Sequence, residues 1–283
     1  MRLWNPDDLH EVRGLGIQAY GINRYVARHS QLAADYFGPG FAIHRGMTVL
    51  DIGANIGLFT LEVLRRCHGD ARALAFEPAP QSFAYLERNL AELWPGADVR
   101  AFRCAVAAAP GEATFYFRPR AAAMSSLSPE PPKHEPDAMI EAALRRPPGA
   151  RGATPLQRLP RPVGRAVLRS LARWTATDAV KLRCAVTTVS RVLGDHGIDQ
   201  VDYLKIDVEG AELDVLRGID PQDWRRIAQL GVEVHDVDGR VRTIRDMVAS
   251  AGFDHVDVKQ GWPFEGTNVY MLHARRTIPP GRR

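Results

Sequence analysis

Apolar and polar positions alternate along the chain in a way that predicts short buried strands, most of them followed by an amphipathic helix. The clearest unit spans Thr48–Leu64. A short apolar run there reaches an acid at Asp51, a turn bracketed by Gly53 and Gly57 follows, and apolar residues then recur at helical spacing. This order of strand, tight turn and helix predicts the opening βα unit of an α/β fold.

The same patterns predict the remaining elements. Expected strands are Ala71–Pro78, Val99–Val106, Ala113–Phe117, Val201–Val208, Ile227–Val234, Phe253–Val258 and Asn268–His273, the last two as an antiparallel pair and Ala113–Phe117 as a hairpin partner or edge strand. Expected helices are Asp7–Val12, Tyr20–Tyr36, Pro80–Leu93, Thr187–Ile198, Ala211–Leu216 and Arg240–Ala251. Strands that alternate with helices predict a mostly parallel sheet covered by helices on both faces.

A stretch rich in proline and arginine interrupts the pattern between residues 118 and 182. It holds ten of the chain's twenty prolines, and its ten Arg and two Lys against five acids give it a net charge of +7, whereas the whole chain is at +4. We expect an insertion or lid, in which Asp137–Arg145 and Gly164–Ala172 could form short helices. The remaining chain then divides into a helical N-terminal cover (1–45), two halves of one α/β domain (46–117 and 183–276) and a tail (277–283).

Composition narrows the class of protein. A hydrophobic content of 45% and a charged content of 25% are ordinary for a globular protein. No apolar run approaches the roughly 18 residues of a membrane span, and acids stand where a signal peptide would be basic and apolar. Cys67, Cys104 and Cys184 are odd in number and lack C-x-x-C spacing, which argues against a disulfide framework and a zinc site. We therefore expect a cytoplasmic protein without a membrane partner.

The glycine turn indicates the kind of ligand. In a doubly wound sheet the first such turn holds a nucleotide-like cofactor, because glycine lets the backbone approach the ligand. The pattern is D-x-G-x-x-x-G and not the G-x-G-x-x-G of dinucleotide folds, and no Y-x-x-x-K pair is present, so an NAD-dependent oxidoreductase is disfavoured. A carboxylate at Asp51, pointing into the crevice, suits a cationic ligand such as S-adenosylmethionine. Glu77, 24 residues beyond Gly53, is placed to accept both hydroxyls of an adenosine ribose.

A second group of polar residues ends the two later strands. Asp207 and Glu209 follow one strand, Glu233 and His235 end the next, and alternation along the strand places Lys205 on the same side as Asp207. His235 or Glu209 could act as a general base. Alternatively the acids and His235 could hold a divalent cation, or form only a salt-bridge network around Lys205. We favour the base without a metal.

Several motifs together resemble the FkbM-type family of S-adenosylmethionine-dependent methyltransferases. They are TVLDIGANIGLFTL, AFEP, Ser125-Ser126-Leu127, YLKIDVEGAELDVLRG and GVEVH, in an order that runs from about Thr48 to Arg275 and excludes most of 128–182. The resemblance implies a class I methyltransferase fold, Rossmann-like, with a seven-stranded mostly parallel sheet whose last strand is antiparallel. It also implies O-methylation of a hydroxyl on a natural product or glycan.

On the family pattern Asp51, Gly53, Asn55 and Gly57 match the cofactor turn, Glu77 matches the ribose acid, and Cys104-Ala105-Val106 match the segment that lines adenine. With Ala54 of the turn and Asp207 of the later strand, the expected cofactor-binding set is Asp51, Gly53, Ala54, Asn55, Gly57, Glu77, Ala105 and Asp207. The expected catalytic set comes from the two strand ends and is Lys205, Glu209, Glu233 and His235. The long insertion departs from the compact family pattern and leaves the acceptor open.

The sequence also bears on acceptors other than a small-molecule hydroxyl. An RNA- or protein-directed methyltransferase could use the basic insertion as an electrostatic footprint, but Trp174 is its only aromatic residue and base stacking needs more. No D/N-P-P-Y motif or Pro-Cys pair indicates methylation of a nucleobase amine or a pyrimidine carbon. A catalytically dead S-adenosylmethionine-binding module is disfavoured by the intact acidic cluster. We expect a small-molecule hydroxyl acceptor and no nucleic-acid partner; oligomeric state is left open.

Overall fold

A computed structural model describes residues 36–38, 40–119, 121–129, 136–145, 159–176, 179–261 and 264–277 of the chain. The helices expected at Asp7–Val12 and Tyr20–Tyr36 lie outside these residues, apart from Tyr36 itself. None of the helices in the described ranges is long and apolar enough to cross a bilayer.

The described residues form strands and helices that alternate over most of the chain. The strands are β1 (Met47–Ile52), β2 (Ala71–Phe76), β3 (Val99–Phe102), β4 (Ala105–Val106), β5 (Gly111–Phe117), β6 (Val180–Thr187), β7 (Tyr203–Ile206), β8 (Gln229–His235), β9 (His255–Lys259) and β10 (Val269–Arg275). The helices are α1 (Leu58–Arg66), α2 (Pro80–Leu93), α3 (Pro136–Arg145), α4 (Arg161–Ala176), α5 (Val189–Asp195), α6 (Glu212–Arg217) and α7 (Arg240–Ser250).

Seven strands make one sheet in the order β3-β2-β1-β7-β8-β10-β9. β10 is antiparallel to both of its neighbours, and the other pairs of the sheet are parallel. The strand order reverses between β1 and β7, which is the point where an open α/β sheet binds its ligand, outside the carboxyl ends of the strands. The α/β fold expected from the sequence, with its antiparallel last strand, is confirmed.

Alternate residues of β1 pack on opposite faces of the sheet, as the two-residue period of a strand requires. Leu50 and Ile52 belong to one apolar core, and Met47 and Val49 belong to the core on the other face. Because the strand is covered on both faces, it is apolar almost throughout. Among its buried residues the exception is Asp51, whose carboxylate is turned toward the second core.

One predicted strand was wrong. The run Val99–Val106 does not form one strand: β3 ends at Phe102 in the main sheet, and β4 belongs to a second sheet in the order β4-β6-β5. Ala105 and Val106 pair there in parallel with residues about eighty positions later, at the end of β6. A local hydrophobic pattern cannot show this change of sheet, because the partner strand is remote in sequence.

The segment 118–182 holds more regular structure than its prolines predict. β6 begins inside this segment, at Val180, and pairs with the whole length of β5. β5 is therefore an edge strand of the small sheet. α4 is longer than the expected Gly164–Ala172, since Pro162 sits in its first turn, where proline is tolerated. α3 and α4 pack against each other and are joined by exposed ion pairs. These link Arg161 and Arg165 to Glu141, and Arg169 to Asp137.

The glycine turn after β1 can be tested by substitution. Gly53 has φ +77°, and a Cβ there would lie 1.7 Å from the carbonyl oxygen of Asp207. Gly46 has nearly the same φ, +75°, and nothing lies within 4 Å of its Cβ position. We expect Gly46→Ala to cost only the left-handed backbone term of about 1–2 kcal/mol, and Gly53→Ala to cost clearly more because β1 and β7 must move apart. Thermal denaturation measures both. Equal losses would show that the close approach to Asp207 is not what requires glycine.

Candidate active site

A cleft opens at the carboxyl ends of β1, β2 and β7. Of the expected cofactor-binding and catalytic sets, six residues line it: Gly53, Asn55, Glu77, Ala105, Asp207 and Glu209. Cys104 and Val106, the neighbours of Ala105 in the expected adenine segment, line it too. The segment before α3 closes one side of the cleft with Ser125, Ser126 and Leu127. Asp51, Ala54, Gly57, Lys205, Glu233 and His235 are not part of its lining, so the structure separates the predicted site into residues that face the cleft and residues behind it.

Glu77 is held at the mouth of the turn by backbone groups. The N–H of Asn55 donates to one carboxylate oxygen at 2.9 Å, and the N–H of Ala79 donates to the other at 2.8 Å. Burial raises the pKa of Glu77 to about 7, in spite of these two hydrogen bonds and the charge of Lys205. The N–H groups of Gly53 and Ala54 also donate to the carbonyl of Phe76, so the turn is tied to the end of β2.

The other residues of the turn divide between a polar side chain at Asn55 and packing positions at Ala54 and Gly57. Asn55 adopts φ +50°, and its Oδ1, a buried atom, has no hydrogen-bond partner among the described residues. Ala54 is buried in the core on the α1 side. Gly57 precedes α1 with φ +91°, and a Cβ there would come within 2.7 Å of Leu86. The turn therefore offers the cleft one free acceptor atom, while Gly57 allows α1 and α2 to pack closely.

The prediction that Asp51 points its carboxylate into the crevice needs correction. Asp51 is fully buried behind the turn, where Thr60 donates to it at 2.7 Å and the Nζ of Lys205 lies 3.1 Å away. Lys205 also donates to the carbonyl of Gly53 at 2.6 Å and lies 3.6 Å from Asp207. Asp51 and Lys205 are opposite each other in the β1–β7 pairing, so this ion pair joins the two strands beneath the cleft.

Tyr36, which the sequence placed only on a cover helix, enters the acidic cluster. Its hydroxyl donates to Asp207 at 2.8 Å and lies 3.4 Å from Glu233. Burial, together with Asp207 and Glu233, raises the pKa of Tyr36 well above its usual range. Burial and the neighbouring charges of Asp207 and Glu209 likewise raise the pKa of Glu233. No sequence signal marked Tyr36, because its partners lie more than 170 residues away.

His235 lies between two carboxylates. Its Nδ1 is 2.9 Å from Glu212 and its Nε2 is 3.3 Å from Glu209. Burial alone would lower the pKa of His235, but the hydrogen bonds and charges of the two glutamates outweigh it and raise the pKa well above the usual range. Glu209 faces the cleft and His235 does not, so Glu209 stands between the imidazole and any ligand. Glu212 was predicted only as a helix residue.

The backbone at Glu209 is unusual. It has φ +54°, a left-handed conformation that costs a residue with a side chain roughly 1–3 kcal/mol and is concentrated at functional sites. Gly210 follows with φ +102°. The two residues turn the chain sharply after β7, and this turn directs the Glu209 carboxylate toward both the cleft and His235.

A cation could also be held here. Glu209, Glu233 and His235 each offer an atom, and these atoms lie within 4.8 Å of one another. Protein ligands stand about 2.0–2.6 Å from a bound divalent ion, so three such atoms can share one. Asp207, the fourth ligand considered from the sequence, is not in this group.

The strand order, the single reversed strand and the cleft at the switch point define a class I methyltransferase. The family model described as "Methyltransferase FkbM domain" matches residues 51–255, and the chain belongs to this family of S-adenosylmethionine-dependent methyltransferases. The resemblance noted in the sequence motifs is confirmed.

Two relatives in sequence agree with this assignment. The chain is 34% identical to the 31-O-demethyl-FK506 methyltransferase FkbM of Streptomyces tacrolimicus, over 86% of this chain and 85% of that protein. It is 32% identical to methyltransferase sdnD of Sordaria araneosa, over 98% and 99% of the two chains. Among solved structures, a SAM-dependent methyltransferase from Aquifex aeolicus matches with a TM-score of 0.40 and 11% identity, over 97% of this chain and 100% of that one.

The raised pKa of Glu77 leads to a test of its role. In the free protein Glu77 keeps its proton up to about pH 7, whereas ribose hydroxyls donate best to the ionised carboxylate. We therefore expect the affinity for S-adenosylmethionine to rise with pH and to level off above about 7. Calorimetry at several pH values measures this. In Glu77→Gln the affinity should be lower and the rise should disappear; an identical rise in that variant would assign it to another group.

Proposed function

We propose that this methyltransferase transfers the methyl group to a hydroxyl oxygen of a small molecule, with Glu209 as the general base. The observation that carries the proposal is the position of Glu209: its carboxylate lines the same cleft as Glu77 and is backed by His235. The name of the FkbM relative, a 31-O-demethyl-FK506 methyltransferase, supports an oxygen acceptor on a small molecule.

The residues of the turn fit S-adenosylmethionine. Glu77 would accept hydrogen bonds from the ribose hydroxyls, and the buried Oδ1 of Asn55 would accept one from the α-ammonium group. Ala105, with its neighbours Cys104 and Val106, supplies an apolar wall for adenine. Asp207 adds a carboxylate to the lining of the cleft, which suits a cationic ligand. Asp51 would act through Lys205 and not by contact.

The protein has two chemical tasks: to align the acceptor oxygen with the methyl carbon, and to remove the proton of the acceptor hydroxyl. When bound, S-adenosylmethionine would supply a methyl group on a cationic sulfur: the carbon–sulfur bond would break, with its electron pair left on sulfur, as the acceptor oxygen bonds to the methyl carbon. Glu209 takes the proton of the hydroxyl, and the adjacent imidazole of His235 stabilises the Glu209 carboxylate through Nε2. A positioned base of this kind contributes about 10²- to 10⁴-fold.

Lys205 and Glu233, both predicted to be catalytic from the sequence, would act indirectly by supporting other residues of the site. Lys205 is nearly fully buried and is engaged with Asp51 and the Gly53 carbonyl, so it holds the turn in place. Glu233 lies next to the hydroxyl of Tyr36. Neither lines the cleft, and we assign both to the support of Asp207 and Glu209.

The insertion would cover the acceptor side of the cleft. Its first part supplies Ser125 and Ser126 to the lining. An RNA-directed activity would need arginines of α4 for phosphates, but three of them, Arg161, Arg165 and Arg169, pair with acids of α3. A small acceptor enclosed by this segment is therefore the better reading, and the lid stays a prediction.

The acceptor atom and the base can be tested together. Hydroxylated small molecules are incubated with S-adenosylmethionine that carries an isotope-labelled methyl group, and the product is analysed by mass spectrometry and NMR. We expect an O-methyl product, and in Glu209→Gln a fall in kcat of about 10²- to 10⁴-fold with the cofactor affinity unchanged.

Asp238→Asn is the matched control, because Asp238 is exposed and has a similar φ of +56°. Label on nitrogen or carbon would refute O-methylation. Full activity of Glu209→Gln would refute its role as base.

A metal-assisted reaction is the second candidate, favoured by the compact group of Glu209, Glu233 and His235. We expect EDTA to leave turnover unchanged, because both ring nitrogens of His235 already face carboxylates. Loss of turnover in EDTA, with recovery on addition of Mg²⁺ or Mn²⁺, would establish the metal reading in its place.

A further inference from the structure

We propose that Glu212, braced by Arg240, is the positioning residue that aligns His235 and Glu209 for the reaction. The inference rests on the proposed role of Glu209. It adds two residues that lie outside the cleft and that no motif assigned to the chemistry.

The carboxylate of Glu212 contacts both His235 and the turn that carries Glu209. The same oxygen of Glu212 lies 2.9 Å from Nδ1 of His235 and accepts the backbone N–H of Gly210 at 2.6 Å. Glu212 thus contacts the imidazole directly and the Glu209 carboxylate through the turn that carries it. It is fully buried, so water does not compete for these hydrogen bonds.

Arg240 completes the arrangement from α7. One of its terminal nitrogens donates to the carbonyl of Gly210 at 2.6 Å and lies 3.4 Å from the second oxygen of Glu212. Both backbone polar groups of Gly210 are therefore held by side chains. The left-handed turn at Glu209 and Gly210 needs such support, because its conformation is intrinsically unfavourable for Glu209.

The consequence is a defined ring orientation. A carboxylate on Nδ1 keeps the proton there and fixes the rotation of the imidazole, so Nε2 is directed to Glu209. The contact between Glu212 and Nδ1 would orient the ring in the same way if His235 held a cation instead of supporting a base. Without Glu212 the ring can turn, and the turn that carries Glu209 loses one of its two anchors.

A purely structural reading is that Glu212 and Arg240 only join α6 to α7. The two readings differ in what a substitution changes. A tie between helices affects stability alone, whereas a positioning residue affects kcat and the environment of the His235 ring while the cofactor affinity stays the same.

The test compares Glu212→Ala, Glu212→Gln and Arg240→Met. Asp214→Asn and Arg242→Met are the controls, since both residues are exposed on the same two helices. Loss of an outer-shell partner typically costs 10- to 100-fold in activity. We expect a fall in kcat of about that size in Glu212→Ala, a smaller one in Arg240→Met, and no change in the affinity for S-adenosylmethionine. Glu212→Gln should recover part of kcat, because an amide oxygen can still accept from Gly210 and His235.

NMR of isotope-labelled histidine gives a readout that needs no acceptor. The ring N–H that is hydrogen-bonded to Glu212 should give a downfield proton resonance, assigned by its loss in His235→Gln, and it should move or vanish in Glu212→Ala and Glu212→Gln but not in the controls. An unchanged resonance, or a variant with a lower melting temperature and full kcat, would overturn the proposal. Since the resonance is measured in the free protein, this outcome is independent of whether a hydroxyl is the acceptor.

Discussion

The ion pair between Lys205 and Asp51 is the interaction on which the site depends. Burial favours a neutral amine, but the charges of Asp51 and Asp207 outweigh it, and the pKa of Lys205 is raised. A charged ammonium at the junction of β1 and β7 holds the carbonyl of Gly53 and keeps the two strand ends in close contact. The glycine turn is therefore supported from below by a cation whose removal would leave the charge of Asp51 buried without a counter-charge.

Two buried positive groups divide the acids of this region. Lys205 forms ion pairs with Asp51 and Asp207 beneath the turn. His235 forms ion pairs with Glu209 and Glu212 beside the cleft. Each group of carboxylates thus has its own counter-charge, which limits the repulsion that so many acids would otherwise cause. In our proposal the arrangement also separates two tasks: the first group shapes the site for S-adenosylmethionine, and the second deals with the proton of the acceptor.

The small sheet gives the cleft its remaining wall. β4 and β5 carry Ala105 and Phe115 into the lining, and β6 lies between them. The segment between β5 and β6 supplies Ser125, Ser126 and Leu127 to the lining of the cleft and also contains α3 and α4. In our proposal, differences in this segment change the acceptor side of the cleft without disturbing the sheet that holds the turn.

Local patterns are enough to predict several elements of this chain. The period of two in β1 and the glycine turn predict the opening βα unit, because neighbours in sequence form it, and Glu77 lines the cleft beside that turn. The contacts between remote residues are visible only in the folded chain: Asp51 pairs with Lys205 behind the turn, Tyr36 donates to Asp207, and Glu212 contacts His235. These contacts join residues 23 to 171 positions apart, and side-chain spacing carries no record of such pairings. The hydrophobic pattern does not predict the break between β3 and β4 for the same reason, since β4 pairs with the remote strand β6.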